Sequence, residues 1–216
     1  MSTDPKPSPV RLTERQEARR RRILDASTVL ACRGGFDAVQ MREVAEVSGV
    51  ALGTLYRYFP SKIHLLVATM EDQLGQLHEA LRNRPPAATT SGERVAETLL
   101  RAFRALQREP QLADAMVRAL IFADRSVSAE VGTVSRLTTT IILDAMEPVP
   151  PGAAAGLAPA PAPDGRLAAV RVIEHTWHAA LVSWLAGRAS VAQVTADIRT
   201  VCGLLDVPGA GSGSGG

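Results

Sequence analysis

Apolar residues recur at intervals of three and four along nearly the whole chain, a spacing that gathers them on one face of a helix, so an all-α protein is expected. Thr13 can cap a first helix running to about Arg33, with Ile23, Ala26, Leu30 and Ala31 on one face. Gly34-Gly35 stops it, because glycine supplies the left-handed geometry that ends helices. Short helices follow over Met41–Ser48 and Leu52–Tyr58, and Ser61 can cap a long fourth helix to about Arg82 on which Leu66, Met70, Leu74, Leu77 and Leu81 repeat. Residues 84–92, rich in Pro, Ala, Thr and Ser, form a linker. Val95, Leu99, Phe103 and Leu106 mark a fifth helix; Pro110 suits the first turn of a sixth, lined by Leu112, Met116, Ala119 and Leu120. The run Thr138–Ile142 has strand propensity, but Val131, Val134, Thr138, Ile141 and Ala145 keep helical spacing, so a seventh helix over Ser128–Ala145 is expected. Two more helices, about Gly165–Arg188 and Val191–Leu205, follow an Ala/Pro/Gly-rich stretch.

This pattern divides the 216 residues into a flexible arm (1–12), a first domain (13–62), a second domain (63–206) interrupted by a flexible loop (147–164), and a disordered tail (207–216). A hydrophobic fraction of 46% is ample for packed cores. No run of about 18 apolar residues suggests a membrane span, and the polar, Pro-rich start lacks the apolar stretch of a signal peptide. Cys32 and Cys202 are the only cysteines, which fits a reducing cytoplasm better than a disulfide scaffold. Net charge is +2 but uneven: residues 1–62 carry 11 Lys and Arg against 7 Asp and Glu, the rest 13 against 15. A basic front end on a mildly acidic body suits an anionic partner at one end, although a solvated arm has the same composition.

The chemistry concentrates in Gln40–Lys62. Ala45 lies four residues before Gly49, and Val50 follows. A helix-turn-helix needs a small residue where its two helices cross and a glycine where the turn demands positive φ. In the next helix Leu55 and Phe59 point inward, which leaves Thr54, Tyr56, Arg57 and Tyr58 for the outer face. One cation, two phenols and a hydroxyl there suit base reading and phosphate contact; the bland alternative is a helical hairpin with surface polarity. Arg15 and Arg19–Arg22 add a cationic cluster at the first helix, read as a solvated face or, through Arg19, Arg20 and Arg21, as an arm on the DNA backbone or minor groove.

Gly34-Gly35-Phe36, Met41-Arg42-Glu43-Val44-Ala45, Gly49-Val50 and the run Gly53–Lys62 closely resemble the DNA-binding signature of the TetR family of bacterial regulators. That resemblance implies a three-helix helix-turn-helix DNA-binding domain joined through the long fourth helix to an approximately six-helix ligand-binding and dimerisation domain. It implies Arg42, Leu52, Gly53, Thr54 and Arg57 as the base-facing set, with Gln40, Tyr56, Tyr58 and Lys62 on phosphates. Gln40 stands where the family often has Thr or Ser, and Ala51 where Ser is frequent, so two capping hydroxyls are absent. Gln107–Pro110, Ala115-Met116, Arg118-Ala119, Ile121–Asp124, Trp184-Leu185 and Arg188–Ser190 are similar to a narrower subgroup of that family, the repressors of cholesterol-catabolism genes.

No nucleophile elbow, phosphate-cradling glycine loop or paired-cysteine site supports an enzyme, and neither cofactor nor metal is expected. His175 and His178 share a helix face beside Glu174; hydrogen-bonded pocket or interface histidines are the favoured reading over a metal site. Met70, Leu74, Phe103, Met116, Leu120, Phe122 and Trp177 fall on inward faces of the fourth, fifth, sixth and eighth helices. They line either a cavity for a bulky apolar effector or a solid core. The resemblance favours the cavity, with a steroid or long acyl group, possibly as its coenzyme A thioester, as ligand. The eighth and ninth helices are apolar on several sides, either as one thick core or as a homodimer interface through Leu181, Trp184, Leu185, Val194, Ile198 and Val201. The expectation is a repressor that leaves an inverted-repeat operator in double-stranded DNA when its effector binds; the alternative is a constitutive DNA-binding protein without one.

Overall fold

Thr13 opens the first element as expected: its hydroxyl accepts from the Gln16 N–H while the Gln16 side chain accepts from the Thr13 N–H, satisfying two free donors at once. A computed structural model describes residues 13–147 and 164–207, so the expected arm, most of the 147–164 loop and the tail from residue 208 lie outside the described residues. Among the described residues the order is α1 (Glu14–Ala38), α2 (Met41–Ser48), α3 (Leu52–Tyr58), α4 (Lys62–Asn83), α5 (Ser91–Arg108), α6 (Pro110–Ile121), α7 (Ser128–Met146), α8 (Asp164–Leu185) and α9 (Val191–Gly203), with 3-10 turns before α7 and after α9. The helical path of α1 breaks where the glycine pair stands, at Gly34 (φ −159°) and Gly35 (φ +66°). The positive φ at Gly35 favours glycine, and a side chain there would also have to displace the ends of the Asp114 and Gln111 side chains of α6. The threonine run of α7 is helical, and its strand preference is absorbed by hydroxyls bonded to carbonyls one turn back, Thr138 to Val134 and Thr140 to Arg136.

Two apolar clusters hold these helices together. The first joins Ile23, Leu30, Val44, Leu55, Leu65 and Leu66 of α1–α4 to Leu112, Met116 and Ala119 of α6 and Val134 of α7. It therefore continues across positions 62 and 63. The second packs Val95, Leu99 and Phe103 of α5 against Ile142, Ile173, Leu181, Val194 and Ile198 of α7–α9. Helix α6 is shared: Met116 enters the first cluster and its neighbour Val117 the second.

The 84–90 segment is tied down rather than loose. Arg101 donates to the Arg84 carbonyl at one end, and Glu97 accepts from the Ala87 N–H. Arg94, only 6% exposed, reaches back to the Thr89 carbonyl (2.6 Å) and forward to the Ala145 (3.1 Å) and Met146 carbonyls that end α7. A buried guanidinium is held here by the negative end of a helix rather than by a carboxylate.

Candidate nucleic-acid interface

The turn between α2 and α3 forms because Gly49 adopts φ +65°, ψ +36°, a left-handed conformation natural to glycine, while the Val50 N–H returns to the Ala45 carbonyl (3.0 Å). Ala45 is buried at the crossing, and Leu55 and Phe59 seat α3 in the first cluster. What α3 leaves outside is the expected set in part: Gly53, Tyr56 and Arg57 are exposed, Leu52 and Thr54 half-buried. On α2, Arg42 is exposed beside them in sequence register, and Gln40 just ahead of the helix is exposed too. Neither Gln40 nor Ala51 caps its helix through a side chain; the Gln40 amide donates instead to the Asp37 carbonyl (2.8 Å). Gly53 has empty space where a Cβ would stand, with no atom within 4 Å. Nothing inside the fold therefore requires glycine there.

Four expected DNA-contact residues, Tyr58, Lys62, Arg20 and Arg21, make contacts within the chain. Tyr58 is half-buried, and its hydroxyl donates to the Gln16 carbonyl (3.4 Å), bracing the start of α1. Lys62 lies with its ammonium 4.0 Å from the centre of the Phe36 ring, and burial there pulls its pKa below the usual lysine range. Arg19–Arg21 lie within α1, which begins at Glu14, rather than in a segment ahead of it. Arg21 pairs with Asp72 of α4 (2.9 Å) and Asp25 (3.6 Å), and Arg20 with Glu71 (4.0 Å).

The effector-domain expectations need larger corrections. Phe122 is 54% exposed and packs on Phe36 (5.4 Å between ring centres), because α6 ends at Ile121 and the helical face extrapolated through it stops there. The other expected pocket residues are divided between the clusters: Met70, Leu74 and Met116 at the first, Phe103 and Trp177 at the second, and Leu120 is half-buried. Among the expected dimer residues, Val194 and Ile198 are fully enclosed within one chain, and Leu181 and Val201 nearly so. They pack α9 onto α5 and α8 within the one chain. Trp184 and Leu185 are half-buried, with the Trp184 ring edge-on to Phe103 (5.1 Å). The surface that α8 and α9 do present carries Ala168, Val172, His175 and Ala179, and Ala192, Ala196 and Thr200.

His175 is exposed, His178 half-buried, and Glu174 accepts from the Thr139 hydroxyl (2.6 Å). Among the described residues no group of three or more His, Cys, Asp or Glu is placed to hold a metal, and no helix is long and apolar enough to cross a membrane. Burial raises the thiols to pKa values of about 11 for Cys32 and about 12 for Cys202, so both stay protonated near neutrality.

The chain compares with known proteins over both halves. The family model described as bacterial regulatory proteins, tetR family, matches residues 23–69, and that of the tetracyclin repressor-like C-terminal domain matches residues 88–205. The HTH-type transcriptional repressor KstR of Rhodococcus jostii is 41% identical over 190 residues, covering 88% of this chain and 84% of that protein. A TetR transcriptional regulator from Rhodococcus sp. RHA1, solved by crystallography, superposes with a TM-score of 0.78 at 37% identity, covering 90% of this chain and 99% of the other. FadR from Bacillus subtilis, solved with stearoyl-CoA, shares the fold at 22% identity (TM-score 0.59, covering 90% of this chain and 99% of the other). With both family domains matched and a curated repressor aligned along most of its length, the chain belongs to the TetR family and is a helix-turn-helix transcriptional repressor.

Proposed function

We propose that the chain represses as a homodimer on an inverted-repeat operator and is released by a bulky apolar effector, a steroid or long acyl group carried as its coenzyme A thioester. On the DNA side, Arg42, Leu52, Gly53, Thr54 and Arg57 face bases, Gln40, Tyr56 and Lys62 take phosphates, and Tyr58 positions α1. The observation that carries this side is the open position at Gly53 on α3, with Arg42 of α2 and Arg57 of α3 both exposed. A helical glycine costs stability and is kept here without internal reason, which supports close approach by an outside backbone. The outward stripes of α8 and α9 are the dimer surface, since the small side chains among them, Ala168, Ala179, Ala192 and Ala196, permit close helix packing across a two-fold axis.

On the effector side, large apolar side chains at the margins of the two clusters are left half-buried: Met70 and Leu74 of α4, Leu143 of α7 and Trp177 of α8. A solid core would enclose them; an apolar ligand would complete their burial. Similarity to KstR, together with a fold shared with a FadR solved with stearoyl-CoA, supports the same class.

Long-chain acyl-CoA thioesters and sterol acids, titrated into the protein bound to a duplex selected from a random pool, should release it. The expected loss of affinity is about 5–150-fold. No release by any of them, with no thermal shift, would favour the constitutive DNA binder.

Gly53→Ala separates the fold from the interface. Alanine meets nothing there, so stability should rise by about 0.5–1 kcal/mol while operator affinity falls. A more stable variant with undiminished affinity would show that no partner comes within reach of that position.

A further inference from the structure

We propose that Arg118 of α6 sets the grip on DNA by occupying the Asp37 carboxylate, which leaves Lys62 free to move from the Phe36 ring to a phosphate. The proposal rests on the reading of Lys62 as a phosphate contact. It starts from a small charged corner where α1, α4 and α6 meet. Phe36 follows the glycine pair, and its ring carries two cations: the Lys62 ammonium at 4.0 Å and the Arg118 guanidinium at 4.6 Å. Arg118 also forks onto Asp37 through both terminal nitrogens, at 2.8 and 3.4 Å, and lies 3.7 Å from Asp114. Asp114 is committed elsewhere, accepting from the Phe36 N–H (3.3 Å).

Asp37 is therefore the one acid at this corner that two cations compete for. The Arg118 hydrogen bond, followed by the Arg118 and Lys62 charges, holds the Asp37 acid below the usual carboxylate range. Arg118 opposes the Lys62 ammonium through like charge, while Asp37 favours it. With Arg118 forked onto Asp37, Lys62 rests on the ring with Asp37 already shared, and leaves readily for a stronger anion. Without it, Asp37 and Phe36 together trap Lys62, and every phosphate contact by Lys62 must first break that pair.

The placement of Arg118 makes this a link between the two halves of the molecule. It stands one helical turn or less from Met116 and Val117, which enter the two apolar clusters. A shift of α6 that repacks either cluster withdraws the guanidinium from Asp37 and closes the trap. DNA binding is thereby tuned at a distance from α3, with no change in base contacts.

The test is the slope of log affinity against log salt on operator and scrambled duplexes, with thermal unfolding of each variant as a check on folding. Lys62→Met should lower the slope by about 0.9, the loss of one phosphate contact. Arg118→Met should lower it by a similar amount on both duplexes, although Arg118 touches no DNA. Arg118→Lys should keep much of the slope, and Asp37→Asn added to Arg118→Met should restore it. If Lys62→Met lowers the slope but Arg118→Met does not, the proposal is overturned and the phosphate reading stands. An Arg118→Met/Asp37→Asn slope as low as that of Arg118→Met also overturns it, since Arg118 would then act through the fold alone. An unchanged slope in Lys62→Met withdraws the phosphate reading and the proposal with it.

Discussion

Arg94→Met should destabilise the chain by about 1–3 kcal/mol. The guanidinium is 6% exposed and supplies donors to the Thr89, Ala145 and Met146 carbonyls and to the Ser91 hydroxyl. Methionine fills much of the same volume but donates nothing, so the buried Ala145 carbonyl loses its partner, whereas the Met146 carbonyl keeps the Ser91 hydroxyl and Thr89 lies at the surface. Such an orphan costs about 1–3 kcal/mol. Relief from burying a charge offsets part of that cost. Urea unfolding should show a lower midpoint with an unchanged slope. A midpoint equal to that of the wild type would mean that water or a rearranged linker replaces the guanidinium. At low temperature the folded variant should still bind DNA, because Arg94 lies in the second half of the molecule, away from α2 and α3.

Arg57→Ala should cost about 1–3 kcal/mol of operator binding and relax sequence preference at the contacted position. Arg57 is exposed on the last turn of α3, next to Tyr56, on a helix seated by Leu55 and Phe59. Its guanidinium can place two parallel donors on a guanine edge, which a phosphate contact does not require. The loss should therefore be much larger on the operator than on a scrambled duplex. Equal losses on the two would reassign Arg57 to the backbone. Unfolding midpoints should not move, since an exposed side chain at this position packs against nothing that the fold depends on.

The helices were legible in the chain because local chemistry specifies them. Thr13, Ser61, Thr90 and Ser190 each accept a backbone N–H at a helix start, and Gly34-Gly35 and Gly49 bend the chain where they stand. The recognition face was legible for the same reason, since Leu55 and Phe59 fix which side of α3 turns inward. The faces of α8 and α9 were not. Val194, Ile198 and Val201 repeat at three and four as any buried stripe does, and that spacing is the same for a monomer core as for a dimer interface. The alanine-rich outer stripes carry only Val172 as a large apolar residue, a weak hydrophobic signal. Phe122 was misplaced by extending a helical face one residue past the end of α6. Arg94 carried no sign of its role, because a buried arginine held by carbonyls looks in sequence like a solvated one. The corner at Phe36, Asp37, Lys62 and Arg118 joins residues up to 82 positions apart, a separation that no local pattern spans.

Selection of bound duplexes from a random-sequence pool, followed by titration and stoichiometry on the enriched site, tests the central claim most directly. The expected product is an inverted repeat with half-site centres about one helical turn, or a multiple of it, apart. It should bind an even number of chains and hold them about 10³-fold or more tighter than a scrambled duplex at physiological salt. Enrichment of no sequence, or of a single asymmetric site occupied by one chain, would contradict the account of a dimeric repressor that reads its operator through α3.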